Sequence, residues 1–266
     1  MKTYYYAHTG HRIGLDRFRR AVAILNGLDS DITLLTSDFR IAQVAREFGI
    51  EKSVGIDVVR NIPQIAENGD RLIFDSDEAN PLMLEDMKQY FSTFIPIKND
   101  TIVVEPKFFD AKKREKSVKI SYFFGDDDYE KDLERHFDLV ADLNPHLQLG
   151  FYYFLDYEDM LKEKFENYFE FEEYDEMIMS SEIVVTCSPQ TVFDALASGA
   201  KPIYIQREDY TQDYNHLFDK LNIPIIKNYN KNDFNIVYKA INERKYVDIT
   251  QNEGNIVELI KENLDL

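Results

Sequence analysis

The stretch Ile183-Val-Val-Thr-Cys-Ser-Pro-Gln-Thr-Val-Phe-Asp-Ala-Leu-Ala-Ser-Gly-Ala-Lys-Pro-Ile-Tyr-Ile-Gln206 admits few folds. Ile183–Val185 is short, β-branched and wholly apolar, as suits a strand buried on both faces of a parallel sheet. Ser188-Pro189 reads as a helix start, a capping residue followed by a proline whose missing N–H costs nothing there. Val192, Ala195 and Leu196 give the helix one apolar face, Gly199 ends it, and Pro202–Ile205 opens the next strand. A buried strand running into a Ser/Thr-rich helix start presents backbone N–H groups and the positive end of the helix dipole, which favour a phosphate. The candidate contacts are Ser188, Gln190 and Thr191, with Asp194 placed to reach past the phosphate toward ribose hydroxyls. This is chemistry suited to a nucleotide diphosphate, although an ordinary βαβ unit without a ligand carries much of the same pattern.

The same alternation runs through the chain. Thr3–Ala7, Ile32–Leu35, Leu72–Phe74 and Thr101–Val104 read as strands, separated by helices over Leu15–Leu25, Phe39–Phe48 and Leu82–Phe94. Phe18, Ala21, Val22 and Leu25 mark the buried face of the first helix. Pro106–Lys116 is charged and aperiodic and reads as a linker. A second series follows: strands at Val118–Phe124, Leu147–Phe154, Ile183–Val185, Ile203–Ile205 and Ile223–Ile226. Helices are expected over Tyr129–Ala141, Tyr174–Met179, Tyr214–Leu221, Phe234–Asn242 and Ile256–Glu262. The expectation is α/β, with two Rossmann-like doubly wound parallel-sheet domains, 1–107 and 108–266, facing a cleft where strand carboxyl ends place ligands.

Composition narrows the partners. The net charge of −18 argues against nucleic acid and against an anionic membrane surface. The charge is uneven: 13 Lys/Arg face 16 Asp/Glu in residues 1–107, and 18 face 33 in the rest, so the second half lacks the basic face that lipid-linked acceptors usually want. A small soluble acceptor, or water, is the expected co-substrate. The acidic run Glu163–Glu176 reads as a solvated helical face. No stretch approaches the length of apolar chain that spans a bilayer. The start of the chain has no apolar signal region, and the lone Cys187 forms no intrachain disulfide, so a cytoplasmic location is expected. Cys187 reads as a buried side chain rather than a nucleophile.

His8-Thr-Gly-His-Arg-Ile-Gly14 follows the first strand and precedes a helix, the position where a doubly wound sheet places chemistry. Gly10 and Gly14 allow close backbone approach, and His11 and His8 are the near-neutral titrating groups of the loop. Either histidine is a candidate base for a hydroxyl or a water; either also serves as a packing or capping residue. Gly125-Asp-Asp-Asp128 opens the second half after a strand. Three aspartates repel a diphosphate unless a metal or an arginine intervenes. Capping by Asp127 or Asp128 is favoured over a Mg²⁺ site, and no metal ligands are assigned. Asp75-Ser-Asp-Glu78, also after a strand, faces a cleft or caps the next helix.

Two regions resemble known families. Residues 183–215 are similar to the donor-binding region of GT-B glycosyltransferases, whose pattern runs Thr-x-x-Glu-Ala-x-x-x-Gly-x-Pro and then Gln-x-x-Asn. Thr191, Ala195, Gly199, Pro202, Gln212 and Asn215 match, with Asp194 at the glutamate position and Lys201 as an extra residue before the proline. Thr9-Gly10-His11 resembles the Thr-Gly-Gly-His loop of the peptidoglycan N-acetylglucosaminyltransferases, one glycine short. Ile13-Gly-Leu-Asp-Arg-Phe-Arg-Arg20 resembles the nucleotide-sugar hydrolases of the pseudaminic acid pathway, with Arg17 where their water-activating histidine stands. Arginine is no general base near neutral pH, so Arg17 is expected to pair with sugar or diphosphate instead. The resemblance implies an enzyme of surface-glycan or sugar metabolism that uses a nucleotide sugar, UDP-linked by preference, without a metal or other cofactor. It also implies that Asp194 and Gln212 orient ribose and sugar hydroxyls and that His11 or His8 deprotonates the acceptor. The alternatives are a nucleotide-sugar hydrolase and a non-catalytic nucleotide-sugar binder.

Overall fold

The computed structural model describes residues 1–28, 30–250 and 256–266. The chain divides into two compact units, the first being Met1–Glu105 with the C-terminal helix and the second beginning at Pro106. In the first unit β1 (Thr3–Ala7), β2 (Ile32–Thr36), β3 (Ser53–Gly55), β4 (Arg71–Asp75) and β5 (Thr93–Pro96) form an all-parallel sheet of order β3-β2-β1-β4-β5. The chain winds outward from β1 to β3, then returns to the other side of β1 as β4. The carboxyl ends of β1 and β4 therefore flank the point where the winding reverses, and loops diverge there to leave room for a ligand.

The second unit repeats the plan with six strands: β6 (Val118–Phe123), β7 (His146–Gln148), β8 (Tyr168–Phe169), β9 (Ser181–Thr186), β10 (Lys201–Gln206) and β11 (Ile225–Lys227). Their order is β11-β10-β9-β6-β7-β8, again parallel throughout, so the reversal lies between β6 and β9. Alternate residues feed one apolar layer: Ile120 and Tyr122 from β6, Ile183 and Val185 from β9, Ile203 and Ile205 from β10. Both sheets are buried on both faces, which is why their strands read as apolar runs rather than as polar–apolar alternation.

Several expectations shift. Phe18, Ala21, Val22 and Leu25 are all buried on the Asp16–Leu28 helix, as their spacing requires. The helix expected to run to Phe94 ends at Tyr90, and Thr93–Pro96 pairs with β4 as the edge strand in place of Thr101–Val104. Pro106–Lys116 is not an open linker, since Pro106–Asp110 is a short helix. The acidic run Glu163–Glu176 is no helical face: the Leu155–Lys164 helix ends inside it, β8 follows, and a new helix begins at Tyr174. The strand expected to reach Phe154 stops at Gln148. A Cβ on Gly150 would lie 2.5 Å from the backbone oxygen of Gly125, so the loops after β6 and β7 touch backbone to backbone.

The largest correction concerns the C-terminal helix, Ile256–Leu264, assigned from sequence to the second domain. It belongs to the first unit. Ile260 and Leu264 are buried, Val257 packs on Gly27, and the backbone oxygen of Leu264 accepts from Arg71 at 2.5 Å. Its apolar stripe was visible in the sequence, but nothing in a stripe says which sheet covers it.

Candidate functional site

At the reversal point of the first sheet, the loops after β1 and β4, the end of β4 and the Asp16–Leu28 helix bring together His8, Arg17, Arg20, Asp75, Asp77 and Glu78. Asp75, fully buried at the end of β4, accepts from Arg20 Nε at 2.8 Å and Nη2 at 2.5 Å, and from the Tyr5 hydroxyl at 3.0 Å. Its backbone oxygen takes the His8 N–H at 3.0 Å, which fixes where the histidine leaves the strand. Above this buried layer His8 Nδ1 meets Asp77 Oδ1 at 3.0 Å, and Nε2 stands 3.8 Å from Glu78 Oε2. The Tyr6 hydroxyl donates to the same Glu78 oxygen, as does Ser76. Arg17 reaches Asp77 at 3.1 Å and Asp75 at 3.6 Å. The hydrogen bond from His8, reinforced by Arg17, outweighs burial and holds the Asp77 carboxyl well below the usual carboxylate range.

The carboxylate on Nδ1 fixes the orientation of the ring and favours the tautomer that carries its proton there. His11, the other candidate from sequence, is exposed in the turn beyond, where Ile13 and Gly14 donate to the Gly10 oxygen at 3.1 and 2.9 Å. Gly14 closes this turn at φ +74°. The two histidines thus occupy different surroundings. Asp77, Asp75 and Arg20 had been visible only as an acidic cluster and a basic helix start, since nothing in the sequence aligns residue 8 with residue 77.

In the second unit the β9 turn is built as expected but is filled from within. Ser188 caps the Pro189–Ala197 helix, its Oγ accepting from Thr191 N at 3.2 Å, and the Ser188 N–H goes to Thr186 Oγ1 at 3.0 Å. Thr191 Oγ1 lies 2.8 Å from Ser188 Oγ and 3.0 Å from the Tyr174 hydroxyl. Asp194 is buried, and its two oxygens accept from Tyr174 at 2.8 Å and Gln190 Nε2 at 2.9 Å. Tyr174, which the sequence offered only as a helix start, locks Thr191 to Asp194. Gln212 is exposed, and its backbone oxygen accepts from Asn215 at 3.0 Å; Asn215 begins the next helix, half-buried. Cys187 is buried, and burial pushes its thiol up, away from the thiolate.

The three aspartates after β6 are all buried. Asp128 serves the following helix, accepting from the N–H groups of Asp132 and Leu133 at 2.7 and 3.0 Å and from the Tyr157 hydroxyl at 2.5 Å. Burial nevertheless raises its pKa. Among the described residues, no group of three or more His, Cys, Asp or Glu side chains is placed to hold a metal ion. An arginine does intervene: Arg207, the residue after β10, is buried and donates to the backbone oxygen of Asp127 at 2.8 Å.

No family profile matches this sequence, and no curated protein resembles it in sequence. Solved structures share the fold. UDP-GlcNAc 2-epimerase of Methanocaldococcus jannaschii, with UDP-GlcNAc and UDP, is 11% identical, with 98% of this chain and 100% of that one covered at a TM-score of 0.59. The glycosyltransferase SnogD of Streptomyces nogalater is 12% identical, with 100% and 95% covered at 0.52. MurG of Acinetobacter baumannii is 10% identical, with 98% and 100% covered at 0.51. At such identities the likeness carries the fold alone: two parallel α/β sheets of the GT-B type. Among the described residues no helix is long and apolar enough to cross a membrane.

Proposed function

We propose that this protein is a metal-independent, glycosyltransferase-like enzyme that takes a nucleotide-diphosphate sugar, UDP-linked by preference, and passes the sugar to a small soluble acceptor. The observation that carries the reading is the His8–Asp77 pair at the reversal point of the first sheet. His8 Nε2 removes the acceptor's proton as its oxygen attacks the anomeric carbon, Asp77 stabilises the imidazolium that forms, and the bond to the nucleoside diphosphate breaks. In the second unit, taken by itself, the helix start at Ser188–Thr191 and Arg207 offer a nucleoside diphosphate the positive charge that a metal supplies elsewhere. Thr191 and Asp194, cross-braced by Tyr174, support the turn; Gln212, on the loop after β10, and Asn215, at the start of the following helix, are the candidate contacts to the sugar. The likeness to a UDP-GlcNAc 2-epimerase with UDP-GlcNAc and UDP, to the glycosyltransferase SnogD and to MurG supports a nucleotide-sugar role. The registers at Thr9-Gly10-His11 and Ile13–Arg20 favour kinship with the peptidoglycan N-acetylglucosaminyltransferases and the pseudaminic acid pathway hydrolases.

Incubation with UDP-, GDP-, CMP- and dTDP-sugars, with and without an acceptor panel, tests the reading by release of free nucleotide. Acceptor-dependent release supports transfer, acceptor-independent release supports hydrolysis by the same histidine, and no release from any sugar defeats the enzymatic reading.

A further inference from the structure

Strands β6 and β10 lie on either side of β9, so a side chain reaching from the end of one to the loop of the other must cross the end of β9. Arg207 does this: it follows β10, and its Nη1 donates to the backbone oxygen of Asp127, beyond β6, at 2.8 Å. The guanidinium therefore crosses the strand end that carries Cys187 and Ser188. The Phe124 ring lies 4.6 Å from it. Gly125, at φ +125°, brings the loop beside it, with Nη1 3.7 Å from where a Cβ would stand.

A guanidinium whose side chain is only 6% exposed needs an anion, and its own loop supplies one. Asp209, two residues on, accepts from Nε at 2.9 Å and Nη2 at 2.6 Å, a two-pronged pair, while remaining 41% exposed. The partners are held very differently. Arg207 is fixed by Asp127 and Phe124; Asp209 is half in water on a connecting loop.

We propose that Asp209 is an internal competitor for the diphosphate of a nucleotide ligand: it occupies the Arg207 fork when the site is empty and is displaced to solvent when the ligand binds. This rests on the reading that the second unit takes a nucleoside diphosphate. A diphosphate presents paired oxygens with the spacing of a carboxylate and carries more negative charge, so it takes over the same two N–H donors. The leaving aspartate regains water at little cost because it is already half-solvated. Competition of this kind lowers affinity for the nucleotide product and so hastens its release.

Calorimetric titration of the full chain with UDP, and separately with inorganic pyrophosphate, tests this. Asp209→Asn keeps an acceptor facing Nε but removes the charge, and should bind both ligands about tenfold more tightly than wild type. Glu208→Gln, the same charge change on the exposed neighbour, should stay within about twofold of wild type. Arg207→Lys should bind both ligands more weakly, because a point charge lacks the fork. A further measurement needs no variant: the Arg207 Nε–H resonance of the wild-type chain should move on adding pyrophosphate. An unchanged or weaker affinity in Asp209→Asn, or a stationary resonance, overturns the proposal. If pyrophosphate binds more tightly to Asp209→Asn while UDP binds to no form, the competition stands and the nucleotide reading falls. If neither ligand binds any form, both fall.

Discussion

The two sheets reverse their winding in the same way, yet the first unit's loops after β1 and β4 and the second unit's turn after β9 are built from opposite materials. After β1 and β4 the first unit sets out ionisable groups, His8, Arg17, Asp77 and Glu78, over a buried Arg20–Asp75 pair. After β9 the second unit sets out neutral hydroxyls and an amide, Ser188, Thr191, Tyr174 and Gln190, around a single buried carboxylate. A group that must gain and lose a proton has to stay near solvent with a partner that tolerates both states. A turn that only holds its shape can be dry, provided every polar atom is matched. The same topology thus yields an ionisable rim in one unit and a braced, neutral turn in the other.

The comparison breaks most visibly if rate and stability do not separate. His8→Ala should lower turnover about 10²–10⁴-fold while leaving nucleotide affinity and melting temperature near wild type; His11→Ala, in the exposed turn, should change turnover far less. Equal losses from the two variants in steady-state kinetics would erase the distinction drawn at this rim. Beneath it, Asp75→Ala strands the Arg20 charge and should cost about 3–5 kcal/mol in urea unfolding. A stable Asp75→Ala protein would mean that the lower layer is not the support described.

In the second unit, Asp194→Ala leaves the Tyr174 hydroxyl and Gln190 amide without their acceptor. It should destabilise by about 1–3 kcal/mol, with stability failing before catalysis does. If instead nucleotide affinity collapses while the melting temperature holds, Asp194 contacts the ligand and the turn is not merely structural. The smallest effect concerns pH. Asp77 has its carboxyl lowered below 3.8 in the fold, so its contribution to stability is full above that pH and is lost as pH falls through the folded value. The gap in melting temperature between wild type and Asp77→Asn should therefore be constant from about pH 5 to 7 and close below about pH 4. It should be small, because the side chain is more than half exposed and its charge is screened. A gap that widens in acid would reverse the sign and remove Asp77 as the partner of His8.

The sequence alone determined the alternation of strands and helices, the two parallel sheets, the capped start at Ser188 and the position of the His8 loop at a strand end. These are local: period, β-branching, a capping serine and a proline act over a few residues, and the structure keeps them. Longer reach decided the rest. Whether Thr93–Pro96 or Thr101–Val104 forms the edge strand depends on which segment meets β4, and whether the Ile256–Leu264 helix covers one sheet or the other depends on where its apolar face finds a match. His8 with Asp77, Tyr174 with Asp194 and Arg207 with Asp127 are pairs separated by many residues, and no spacing rule links them. Residue type and local pattern act along the chain, so they are written in it. A partner brought in by a neighbouring strand end is fixed only when the sheet forms, because the energy of burying Asp75 or Arg207 depends on which opposite charge or carbonyl arrives beside it.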